Sequence, residues 1–100
     1  METKYRVIVN FYSPKKGGRK TSIGVGYRPH FIPYGTIPSE NTMYGVQFVV
    51  LPPQVDMSKT IEAEVEFLYK GVNYNRLFVG DKCFLIYEGP NLIGEGKFIG

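Results

Sequence analysis

One hundred residues with a net charge of +3 make one domain with room for one hydrophobic core. The lone cysteine, Cys83, excludes an internal disulfide and a cysteine-based metal cluster, and no apolar run approaches the ~18 residues of a membrane-spanning helix. Eight Tyr and seven Phe, many Val and Ile, and twelve Gly with seven Pro as punctuation favour short strands joined by turns.

The first strand is predicted over Tyr5 to Tyr12, where Tyr5, Val7, Val9 and Phe11 alternate with Arg6, Ile8, Asn10 and Tyr12. Ser13 to Thr21 is a basic loop interrupted by Gly17 and Gly18. Gly24 to Phe31 reads as an extended segment made irregular by Gly26 and Pro29, and Pro33 to Asn41 as a long loop. Tyr44 to Leu51 is a clear strand that Pro52 and Pro53 stop. Thr60 to Tyr69 alternates most cleanly. Ile61, Ala63, Val65 and Phe67 share one face and Glu62, Glu64 and Glu66 the other, a pattern that a helix would scatter. The glutamate stripe reads as a solvated strand face.

Lys70 to Asn75 is a turn region, and Phe78 to Glu88 a further strand. Glu88-Gly89-Pro90-Asn91 is a hairpin turn leading into a closing strand, Leu92 to Ile99. Gly94 and Gly96 in that strand point to bulges or to close backbone approach at a barrel corner. About six strands without helical periodicity predict an all-β, antiparallel barrel or sandwich, and closure into a barrel would remove exposed edges. There is no internal repeat, linker or second domain, so residues 1–100 are read as a single domain.

Charge is unevenly spread. Residues 1–30 hold seven basic side chains against Glu2 alone, a net +6, while residues 31–100 hold five basic and eight acidic, a net −3. The first third is therefore the candidate surface for an anionic partner. Catalytic chemistry is not expected. His30 and Cys83 are far apart in sequence, and Cys83 sits in an apolar alternation that suits a small core residue and an inert thiol. No zinc-ligand or calcium-loop spacing occurs. Gly94-Glu95-Gly96-Lys97 is no phosphate loop, because Phe98 stands where Ser or Thr is needed and no helix follows. The expectation is no enzyme, no catalytic residue, no metal, no cofactor and no nucleotide hydrolysis. The polar Met1–Tyr5 stretch has no apolar signal core, and with one cysteine the expected compartment is a reducing cytoplasm.

Three stretches, in order, carry a family likeness. They are Gly17-Gly18-Arg19-Lys20-Thr21 with Gly26-Tyr27-Arg28-Pro29-His30-Phe31; Leu51-Pro52-Pro53-Gln54-Val55-Asp56-Met57 with Ala63 to Tyr69; and Phe84-Leu85-Ile86-Tyr87-Glu88-Gly89 with Ile93-Gly94-Glu95-Gly96. Over nearly the whole chain the sequence resembles the third, C-terminal domain of elongation factor Tu. That resemblance implies a six-stranded Greek-key β-barrel, present here as a stand-alone domain without the GTPase and second barrel that precede it in the family. It also implies contact with the T-stem backbone of aminoacyl-tRNA and with translation proteins. Some family features are replaced. Tyr87 and Asn91 stand near two family arginines, Ile32 to Tyr44 replaces a threonine-rich segment, and Ser58-Lys59 replaces a Pro-Gly-Asp turn.

The candidate RNA- or partner-binding residues are therefore Lys15, Lys16, Arg19, Lys20, Arg28, Glu88 and Gly89. Tyr27-Arg28-Pro29 reads first as structure, with Tyr27 packed in the barrel and Arg28 covering it or pairing with a carboxylate. Two functions stay open. One is a translation-factor-like module touching tRNA or other RNA, or a translation-related protein, through the basic loop 15–20. The other is a protein-interaction or regulatory module, a factor mimic or immunity-type binder without RNA, that uses another face such as the Pro33–Asn41 loop with Tyr34. Neither involves a membrane.

Overall fold

A computed structural model describes residues 4–99 except 20, 38, 40–41, 70, 79–81 and the side chain of 75. Six strands form among these residues: β1 Lys4–Phe11, β2 His30–Pro33, β3 Tyr44–Val50, β4 Ile61–Phe67, β5 Cys83–Glu88 and β6 Asn91–Phe98. They close into an antiparallel barrel in the order β1-β4-β3-β2-β5-β6, with β6 returning to β1. β2, β3 and β4 are sequential antiparallel neighbours, and β1 lies beside β4 after the long connection from residue 12 to 29. This is a Greek key. The strand pattern left an all-β barrel or sandwich open, and the chain forms the closed six-stranded barrel.

The alternation in β1 and β4 works as predicted. Val7, Val9, Val65 and Phe67 are fully buried, and Ile61 and Ala63 nearly so. On the outer wall, Lys4 stands opposite Glu66 and Arg6 opposite Glu64, and Arg6 Nη2 pairs diagonally with Glu62 Oε1 at 2.5 Å. The glutamate stripe is thus faced by cations from β1 and stays solvent-facing.

Aromatic rings fill the barrel. Phe31 stacks on Phe84 with centroids 3.9 Å apart, and Phe67 stacks on Tyr74 at 3.7 Å. Phe98 meets both Phe78 and Phe84 at 5.0 Å. Such pairs add to the burial energy of large rings. They also need room, which β6 supplies. A Cβ at Gly96 would lie 2.5 Å from Ile8 O and 2.7 Å from Phe84 Cζ, so only glycine lets β6 come this close to β1. The register also shifts between Ile86 and Tyr87 where β5 meets β6.

Three local features differ from the sequence reading. The regular part of the second strand is His30–Pro33, not residues 24–31. Its extended lead-in still bonds to β3, through Gly26 N to Phe48 O at 2.8 Å and Phe48 N to Tyr27 O at 2.9 Å. The fifth strand begins at Cys83 because Tyr74–Leu77 forms a short helical turn, α1, whose Asn73 cap accepts from Arg76 N. Tyr74 and Phe78 then turn inward and plug one end of the barrel, and the Tyr74 hydroxyl donates to Tyr69 O. Cys83 does not join the core: it is half-buried and lines an outer-wall cleft with Ile8 and Lys97. Strand alternation explains this, since inward-pointing Phe84 sends its neighbours outward. No helix among the described residues is long and apolar enough to cross a membrane.

Candidate basic rim and its clamp

The loop after β1 begins with a 3-10 turn, Pro14–Lys16, which exposes Lys15 and Lys16 side by side. Proline suits this start because its missing N–H would have no partner there. The turn closes through Lys16 N to Ser13 O at 2.9 Å, and Gly18 N reaches the same carbonyl at 2.9 Å. A Cβ at Gly18 would fall on the backbone oxygen of Tyr12, so the loop is pressed against the end of β1.

Arg19 turns back toward the barrel. Its guanidinium bonds to Glu88 Oε2 at the end of β5, and Nε donates to Thr21 O at 3.2 Å. Nη2 donates to Thr21 Oγ1 at 2.9 Å and to Ser22 O at 3.4 Å. Its plane lies over the Tyr27 ring, 4.7 Å from the centroid. The Tyr27 hydroxyl completes the group by donating to Glu88 Oε2 at 2.6 Å. Below it, Tyr27 packs against Phe11 and Phe48 with centroids 6.5 and 5.8 Å away. One carboxylate, one guanidinium and one phenol thereby fasten the basic loop, the lead-in to β2 and the β5–β6 hairpin to one another.

Electrostatics agree with this geometry. Burial alone would raise the Glu88 pKa, but the hydrogen bonds from Tyr27 and Arg19 and the Arg19 charge outweigh it and hold the carboxyl below its ordinary value. Tyr27 is pushed well up, by burial first and then by its bond to the Glu88 carboxylate, so its proton stays in place. Burial opposes the charge on Arg19, and the Glu88 and Tyr27 interactions more than restore it.

The structure therefore brings together Arg19, Glu88 and Tyr27. Gly89, at φ 60, opens the adjoining β5–β6 turn. Lys15 and Lys16 stand free on the rim, with no ion pair among the described residues, and Lys20 lies outside the described residues. Arg28 is exposed. It is Arg19, not Arg28, that covers Tyr27. This network has no local signature, because Glu88 lies 61 residues from Tyr27 and 69 from Arg19 in sequence.

Beside the rim lies a cleft of about 510 Å³. Phe11, Pro14 and Met57 give it apolar surface, while Ser13, Thr21, Ser22 and Ser58 bring hydroxyl groups and Lys16 an ammonium. Among the described residues, no group of three or more His, Cys, Asp or Glu could hold a metal ion. No family model matches this chain, and no curated protein matches it.

Proposed function

We propose that this chain is a non-catalytic binding module that holds the phosphate backbone of RNA against the Lys15–Lys16 rim. The observation that carries this reading is the pair of adjacent, exposed lysines, without an ion pair among the described residues, on a loop that the Arg19–Glu88–Tyr27 clamp fixes to the barrel. A fixed loop presents its cations without a large ordering cost on binding. The likeness to the third domain of elongation factor Tu supports RNA, tRNA in particular, as the anion, and the barrel is the fold that likeness implies.

The clamp also lowers the number of phosphate contacts. Four loop cations would give a log–log salt slope near −3 to −4. With Arg19 spent on Glu88, Lys15 and Lys16 supply about −1.4 to −1.8 between them. The test is a titration with bulk tRNA at two salt concentrations, using wild type and a Lys15→Ala/Lys16→Ala variant. Salt-dependent binding whose slope flattens by that amount in the variant is expected. Absence of binding at low salt refutes the proposal.

A second reading, a protein-interaction or regulatory module, is favoured by one observation. Tyr34 and Ile37 are 66% and 83% exposed on the loop after β2. That loop is braced by Thr42 Oγ1, which donates to Ile37 O at 2.8 Å and accepts from Ser39 N at 2.9 Å. A partner docked there would be indifferent to the lysine variant.

A further inference from the structure

We infer that Ser13 accepts a phosphoryl group from a proline-directed serine kinase, and that this modification silences the Lys15–Lys16 rim. The second half rests on the RNA reading above and adds its regulation; the first half stands without it. Sequence supplies the first argument. Of the seven prolines only Pro14 follows a serine or threonine, and Lys16 stands three residues after Ser13. Kinases of this class read a hydroxyl residue followed at once by proline, with a cation two positions further on. Proline there leaves no N–H to be satisfied in the kinase cleft, and the cation complements an anionic group of the enzyme.

Availability is the second argument. Among the described residues, the hydroxyls of Thr21, Ser22, Ser39, Thr42, Ser58 and Thr60 are each engaged in a hydrogen bond. Ser13 is exposed and its hydroxyl makes no capping bond to the turn that follows. Its backbone is extended, at φ −66 and ψ 156, because a following proline disfavours the helical region. Extended chain is the form in which an acceptor segment is laid along a kinase cleft. β1 has ended at Phe11, and the Pro14–Lys16 turn buries no residue, so it can open there while the clamp at Arg19 stays shut. In the transfer the Ser13 oxygen attacks the γ-phosphorus of ATP. The new O–P bond forms as the bond from that phosphorus to the ADP oxygen breaks, and the hydroxyl proton passes to a base of the kinase. Phosphoserine carries a charge of about −1.5 to −2 at pH 7. Lys15 and Lys16 follow within one turn, since Lys16 N donates to Ser13 O at 2.9 Å. Their two positive charges are thereby cancelled, and the rim no longer attracts a phosphate backbone.

The experiment incubates the purified chain and its Ser13→Ala variant with a proline-directed serine kinase and magnesium ATP. Mass spectrometry locates the phosphate, and each product is titrated with bulk tRNA at two salt concentrations. One phosphate on Ser13 of the wild type and none on the variant are expected. The phosphorylated protein should melt like the unmodified one, and its salt slope should flatten by about 1.4–1.8, to match the Lys15→Ala/Lys16→Ala variant. No incorporation at Ser13, or a phosphorylated protein that binds tRNA like the unmodified chain, overturns the inference and leaves the RNA reading standing. If the unmodified chain binds no tRNA, the RNA reading falls, and control of the rim by phosphate falls with it.

Discussion

Replacing Glu88 by Gln keeps the shape of the side chain and removes the charge at the centre of the clamp. Glu88 Oε2 accepts from Tyr27 at 2.6 Å and from Arg19. A hydrogen bond to a charged group contributes about 1.5–3 kcal/mol when shielded, and an exposed ion pair only about 0.2–1 kcal/mol. The Arg19 side chain is 18% exposed, but that of Glu88 is 43% exposed, so solvent screening takes a large share. The expected loss is about 1–2 kcal/mol, or about 5–10 °C in melting temperature for a domain of this length. The sign of the pH dependence follows from the direction of the Glu88 shift. Its folded-state pKa is depressed below the ordinary 4.5, so its contribution is fully present above that value and disappears as the pH falls through the lower folded value. Thermal unfolding of wild type and Glu88→Gln at pH 7, 5 and 3 should show a gap at pH 7 and 5 that narrows at pH 3. The same variant releases the Arg19 fork toward solvent, so the salt slope of tRNA binding should steepen by about 0.7–0.9. Equal melting at pH 7, or a gap of unchanged size at pH 3, would show that the clamp does not hold the loop.

Two further outcomes test the barrel. Gly96→Ala should destabilise by roughly 1–3 kcal/mol or more, because the added methyl meets Ile8 O and the Phe84 ring rather than a flexible chain end; urea unfolding measures it, and a neutral result would contradict the close approach of β6 to β1. Phe67→Ala removes a ring stacked on Tyr74 and in contact with Tyr5, Phe78 and Phe98, and should cost about 3–5 kcal/mol. Near-native stability of that variant would mean that Phe67 does not face the core.

The strands were legible where a strict period of two separates a wet face from a dry one, as in Tyr5 to Phe11 and Ile61 to Phe67. The second strand was harder to delimit, because its residues on both sides of the sheet are buried: Phe31 and Ile32 are both fully covered. The helical turn Tyr74–Leu77 leaves no mark in the sequence, since four residues are too few to show a period. The role of Arg19 could not be read from its neighbours. In sequence it is one more cation in a basic loop, and only closure of the barrel brings Glu88 to it. Apolar neighbours, Phe84 and Leu85, make Cys83 look like a core residue in sequence, although a single residue's step along a strand reverses its face.

Barrel closure has a consequence for how these strands fold. β1 is the first of the six described strands, and its described partners are β4 and β6, the latter the last of the six. Until Asn91–Phe98 exists, β1 and β5 each present an open edge, and edges of that kind recruit strands from other molecules. Closure of the barrel therefore waits for β6, and an intermediate that lacks it carries two adhesive edges.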